Sequence, residues 1–146
     1  MYRQCHVMAK PGGAKCNIDC KYCFYHEKQS LYPQRKQHWK MSEETLEEYV
    51  KQHIAAQHSH PVTFSWQGGE PLLLGLPFFK RVVELCQRYG QGVKITHTLQ
   101  TNGILLNEEW ATFLAQHRFM VGLSVDGPET LHDRYRISHS GKGSHR

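Results

Sequence analysis

The stretch "VTFSWQGGEP", residues 62–71, changes character at its middle. Val62 to Trp66 is rich in β-branched and aromatic residues, the composition of a strand. Gln67, Gly68, Gly69, Glu70 and Pro71 then stop it. Beyond them Phe79, Val82, Val83 and Cys86 recur at helical spacing, with Pro77 suited to the first turn and Gly90 to the end. The stretch therefore reads as a strand, a loop of unusual residues, and a helix.

The same unit repeats on both sides. Upstream, Gln4 to Ala9 reads as a short strand, followed by a Gly/Cys-rich loop to about Tyr25. Ser42 then caps a helix in which Leu46, Tyr49, Val50, His53 and Ile54 form the apolar stripe, running to about His58. Downstream, Val93 to Gln100 is a third strand stopped by "TNG". Asn107 caps a helix carrying Trp110, Phe113 and Leu114 on one face, and Phe119 to Val125 is a fourth strand ending at "DGP". The order β-α-β-α-β-α-β with short connections predicts an α/β fold with a parallel sheet. Each distinctive sequence, "CNIDCKYC", "QGGEP", "QTNG" and "SVDGP", falls at or after the C-terminal end of a strand. Parallel α/β folds build their sites from those loops.

Size and composition narrow the class. The chain has 146 residues, 39% of them hydrophobic, enough for one modest domain. Its net charge is +5, from 18 basic and 13 acidic residues. The excess reads as mild and diffuse. Lys and Arg never run longer than two, which gives no arm for nucleic acid. No stretch approaches a membrane span and no leader peptide precedes the first strand, so a cytoplasmic setting is expected. Thiols there stay reduced, and the five cysteines are read as metal ligands, nucleophiles or core residues before disulfides.

Three of them, Cys16, Cys20 and Cys23, form a C-x3-C-x2-C pattern with Phe24 and Tyr25 directly behind. Three thiolates are one short of a closed zinc site. They suit a [4Fe–4S] cluster in which one iron keeps an open position. On spacing alone zinc stays open, with His6 or His26 as a fourth ligand. His6 reads as a rim or core residue, and Cys5 and Cys86 as small core hydrophobes. A thioredoxin-like use of Cys20 and Cys23 leaves Cys16 unexplained.

With Tyr22 as the aromatic before the third cysteine, "CNIDCKYCFY" resembles the signature of radical S-adenosylmethionine (SAM) enzymes. Gly68, Gly69 and Glu70 resemble that family's GGE motif, and Ser124 and Asp126 fall where it places further polar contacts to the cofactor. "HVMAKP", "CFY", "SWQGGEP", "LQTNG" and "VGLSVDGP…HDRYR" together resemble the anaerobic sulfatase-maturating enzymes, from His6 to Arg136. The resemblance implies a [4Fe–4S] cluster on Cys16, Cys20 and Cys23 and bound SAM. It implies reductive cleavage of SAM to a 5′-deoxyadenosyl radical that takes a hydrogen from Cβ of a sulfatase Cys or Ser, giving Cα-formylglycine. Its partners are then a sulfatase polypeptide and an electron donor such as flavodoxin or ferredoxin, with no nucleic acid and no membrane.

Cofactor contacts are expected from Gly68, Gly69, Glu70, Gln67, Asn102, Ser124, Asp126, Tyr25 and Arg136. Gln67 reads either as a cofactor or peptide contact or as a strand-end cap. Tyr25 reads as a cavity wall or a packed aromatic, and Arg136 as the partner of a carboxylate or a surface residue. The glycines at 68 and 69 let backbone approach a ligand with no Cβ in the way.

About four strands and three helices make an incomplete radical-SAM (β/α) partial TIM barrel. Residues 1–146 are thus expected to be the N-terminal part of a radical SAM core, without the later strands, the auxiliary-cluster domain or the family's catalytic base. An unfinished sheet leaves an unpaired edge. Two rival readings remain: another radical SAM peptide-modifying enzyme, or a small zinc-binding interaction module.

Overall fold

The computed structural model describes residues 5–25, 27–33, 38–57 and 61–145. Four strands, β1 (Met8–Ala9), β2 (Val62–Trp66), β3 (Ile95–Thr101) and β4 (Phe119–Leu123), form one sheet in the order β1-β2-β3-β4. All three pairings are parallel, with Met8 opposite Ser65, Phe64 opposite His97 and Leu99 opposite Val121. Helices α1 (Glu43–Ala56), α2 (Leu76–Tyr89) and α3 (Glu108–Gln116) connect successive strands, and α4 (Glu129–Tyr135) follows β4.

Local chemistry sets the helix ends. The Ser42 hydroxyl accepts from the Thr45 amide, and the Asn107 side chain accepts from the Trp110 amide, so each satisfies a donor that the first turn leaves free. Pro77 lies in the first turn of α2, and the Gly90 N–H closes its end on the Cys86 carbonyl.

The two faces of the sheet differ. Phe64, Trp66, Leu99 and Phe119 join Leu46, Val50, Phe79, Val82, Leu85, Trp110, Phe113 and Leu114 in one core. Phe79 stands edge-on to Trp66, Trp110 and Phe119 at ring separations of 6.0, 5.5 and 6.2 Å, the arrangement aromatic quadrupoles favour. His97 lies among them, stacked 4.4 Å from Phe119, and its Nδ1 accepts from Trp66 Nε1 at 3.4 Å. The alternate residues carry hydroxyls: Thr63 bonds Thr96 at 2.9 Å, and Thr98 donates to Ser65 at 3.0 Å. Such alternation departs from the continuous apolar runs of a parallel sheet covered by helices on both faces. It marks a polar inner face, and the loops at the strands' C-terminal ends open over it.

Four expectations are corrected. The first strand is only Met8–Ala9, and Gln4 lies outside the described residues, as does His58 at the end of the first predicted helix. The fourth strand stops at Leu123, two residues early, with the Ser124 N–H to Thr101 O bond of 2.9 Å as the last rung of its ladder with β3. A fourth helix, α4, is present beyond the three expected. Cys5 is exposed rather than a core residue, with its sulfur 3.3 Å from the Gln57 side-chain nitrogen. Cys86 is buried as expected.

Candidate functional site

A cavity of about 180 Å³ lies at the C-terminal rim of the sheet. Cys16, Cys20 and Cys23 line it together with Tyr25, Gln67, Gly68, Gly69, Asn102, Ser124 and Arg136. All four predicted loops therefore converge. Tyr22, Gln100 and Thr101 line it too and were not among the expected contacts. The signal for Gln100 was its position: it precedes "TNG" and alternates with Leu99, so it belongs to the polar face.

The glycine pair is explained by backbone crowding. A Cβ on Gly69 would stand 2.1 Å from the Lys15 carbonyl oxygen, and one on Gly68 2.7 Å from that of Gly13. Gly68 also holds φ at +134°, open to glycine alone. The Gly69 and Glu70 amides donate to Gly13 O and Lys15 O at 2.9 and 2.8 Å. The "GGE" turn is thus laced to the backbone just ahead of Cys16. The collision a side chain would cause is with the protein's own backbone.

Glu70 does not line the cavity. Its side chain is 1% exposed and turned into the protein. One carboxylate oxygen accepts from the Leu72 amide at 2.9 Å and the Thr101 hydroxyl at 2.8 Å, and the other from the Asn102 amide at 2.8 Å. Burial pushes its carboxyl pKa up, while those donors and Arg136 pull it down. Glu70 therefore ties the β2 loop to the β3 loop. Asn102 carries the tie onward: its side-chain nitrogen donates to Asn17 Oδ1 at 2.8 Å and lies 3.7 Å from Cys16 Sγ.

Asp126 also stands behind the cavity wall. Its carboxylate accepts a hydrogen bond from the Tyr22 hydroxyl. Arg136 Nη1 donates to the same hydroxyl at 2.9 Å and lies 4.0 Å from Asp126. Arg136 is 8% exposed, so the surface reading of this residue is withdrawn. Ser124 accepts from Gln100 Nε2 at 2.9 Å. Tyr25 presents a buried hydroxyl that has no hydrogen-bond partner among the described residues.

Burial pushes the Cys16 thiol pKa up, and the Glu70 charge adds to that. Burial likewise raises Cys20, against the downward pull of Arg136. Among the described residues no three His, Cys, Asp or Glu side chains converge tightly enough for a single ion. Cys16, Cys20 and Cys23 line one and the same cavity. His6 is exposed with its Nε2 3.2 Å from Ser65 Oγ, and His26 lies outside the described residues.

The net charge is not diffuse. Residues 10–40 hold seven Lys and Arg against two Asp and Glu, while the remaining residues hold eleven of each. The whole positive excess belongs to the segment carrying the cysteines.

A four-stranded parallel sheet whose rim loops bring a C-x3-C-x2-C trio and a GGE turn to one cavity defines a class. Residues 11–144 match the family model of the Radical SAM superfamily, and the chain belongs to that superfamily. Within it, the sequence is 44% identical over 139 residues to a serine-type anaerobic sulfatase-maturating enzyme of Bacteroides thetaiotaomicron, covering 95% of this chain and 33% of that one. It is also 44% identical over 133 residues to a cysteine-type enzyme of the same name from Clostridium perfringens, covering 89% of this chain and 35% of that one. A solved structure of native anSMEcpe with bound AdoMet and the Cp18Cys peptide superposes with a TM-score of 0.81 at 40% identity. That match covers 92% of this chain and 35% of the other. The chain spans about a third of the length of these relatives. Among the described residues no helix is long and apolar enough to cross a membrane.

Proposed function

We propose that this chain forms the N-terminal, SAM-cleaving part of a radical SAM enzyme that oxidises a Cys or Ser of a sulfatase polypeptide to Cα-formylglycine. The observation that carries the reading is the convergence of Cys16, Cys20 and Cys23 on one cavity with the "GGE", "QTNG" and "SVDG" loops. The residues fit the cofactors by their chemistry. Three thiols ring a cavity and leave a fourth coordination position for a ligand. Gln67, Gln100, Asn102 and Ser124 line the same cavity with polar groups suited to an amino acid and a ribose.

Cys16, Cys20 and Cys23 would hold a [4Fe–4S] cluster, and Gly68, Gly69, Asn102 and Ser124 would hold SAM beside it. When bound, this pair supplies one-electron cleavage of the sulfonium C–S bond, giving methionine and a 5′-deoxyadenosyl radical. The chain's own part is positioning. Glu70 and Asn102 fix Cys16 to the rim, and the Gly68–Gly69 turn fixes the loop ahead of it. Tyr25, which lines the cavity and whose hydroxyl has no hydrogen-bond partner among the described residues, is the residue that would meet a peptide. The basic segment 10–40 would receive an acidic electron donor of the flavodoxin or ferredoxin kind.

The test is anaerobic loading of the chain with iron and sulfide, reduction, and addition of SAM. The expected product is 5′-deoxyadenosine, absent when Cys23→Ala replaces the wild type. A colourless chain binding one zinc would instead support the zinc-module reading.

A further inference from the structure

Cys20 and Arg136 sit opposite each other in a pairing that the sequence gives no hint of. The Asp19 amide donates to Ile137 O at 2.7 Å, and the Lys21 amide donates to Tyr135 O at 2.9 Å. An antiparallel bridge joins Ile18 to Ser138. All three share one register, and it places residue 20 against residue 136. Asp19 and Lys21 each donate one backbone bond to the second segment, so Cys20 between them lies level with Arg136 between their acceptors, where Arg136 caps the end of α4. Both are nearly sealed, Cys20 at 7% exposed and Arg136 at 8%.

The arginine is then braced from behind. Its carbonyl accepts from the Ser144 hydroxyl at 2.6 Å, and that hydroxyl meets His132 Nε2 at 3.1 Å. The His132 Nδ1 accepts from the Asp126 amide at 3.3 Å. Asp133 holds the Ser144 and His145 amides at 2.8 Å each. On the side-chain end Tyr22 and Asp126 fix the guanidinium, while its Nε–H is buried with no partner among the described residues. A buried donor left unpaired is costly unless something else in the cavity accepts from it.

We infer that Arg136 is a positioning and charge-tuning residue for the cluster: set by register against Cys20, it stabilises the added negative charge when the cluster is reduced. The inference rests on the cluster reading above. A fixed cation in a poorly solvated wall acts on a neighbouring charge more strongly than it would in water. Reduction adds one electron, and with it one negative charge, to a body held by the Cys20 thiolate. Asp126 opposes the effect by partly neutralising the guanidinium.

The test is a redox titration of the anaerobically loaded chain, read by electron paramagnetic resonance of the reduced cluster. Arg136→Gln should take up iron and sulfide as the wild type does, yet show about a tenfold lower reduced-to-oxidised ratio at the wild-type midpoint, about 59 mV for one electron. Arg136→Lys should recover part of that shift. Asp126→Asn should move the potential the other way, an opposition that loosened packing alone does not produce. An Arg136→Gln chain titrating at the wild-type potential overturns the inference. Where Arg136→Gln fails to load, an Asp126→Asn potential that is unchanged or more negative overturns it instead. A wild-type chain that takes up no iron and sulfide overturns the cluster reading and this inference together, whereas a loaded chain insensitive to both substitutions overturns this inference alone.

Discussion

At the scale of single residues, the site is held by contacts that a motif does not spell out. Gly69→Ala places a methyl group 2.1 Å from the Lys15 carbonyl oxygen, and backbone on both sides must move. The expected cost is about 1–3 kcal/mol by thermal or denaturant unfolding, with weaker cluster retention. Glu70→Gln leaves one buried donor facing an amide N–H₂ instead of an oxygen, at a cost of about 1–3 kcal/mol. An unfolding midpoint equal to the wild type would contradict the tie between the loops. Cys16→Ala, Cys20→Ala and Cys23→Ala should each abolish iron and sulfide uptake, while Cys5→Ser should not, because Cys5 is exposed and outside the cavity. The cysteine trio and the glycine pair were legible because metal ligation and tight turns demand particular residue types at fixed spacing. The inward turn of Glu70, the support from Asp126 and the burial of Arg136 were not legible. They depend on partners 31 to 114 positions away in sequence.

At the scale of elements, periodicity served well where one face is apolar. β2 runs Val62–Trp66 as read; of the named stripes α1 buries Leu46, Val50 and His53, α2 buries Phe79, Val82 and Cys86, and α3 buries Trp110, Phe113 and Leu114, while Tyr49, Ile54 and Val83 are only partly buried. α4 was missed although Pro128 and Glu129 mark a helix start, because its seven residues bury only His132 and show no apolar stripe. β3 carries a titratable group into the core. Burial, with His117 nearby, holds the His97 pKa down at about 4 against an ordinary 6.5. The folded state thus favours the neutral ring, and the unfolded chain binds the proton more readily. This stabilisation is fully present above about pH 6.5 and is lost as pH falls towards 4, by on the order of 3 kcal/mol. Unfolding measured across that window should show the loss in the wild type and much less of it in His97→Leu. Equal slopes would assign the acid sensitivity elsewhere.

At the scale of the whole molecule, β4 lies at the edge of the sheet and its surface is apolar. Met120 is 71% exposed, and Leu123 and Val125 are about half exposed. An open edge beside such a surface invites pairing with another chain. The 146-residue chain should therefore associate as its concentration rises, and Met120→Lys should reduce this in sedimentation runs. The central claim concerns the three thiols and the coordination position they leave open. Its most direct test is the electron paramagnetic resonance spectrum of the loaded, reduced chain before and after SAM is added. The account predicts about four iron and four sulfide per chain and a spectrum that changes on SAM binding. A spectrum indifferent to SAM, or a colourless chain holding zinc, would contradict it.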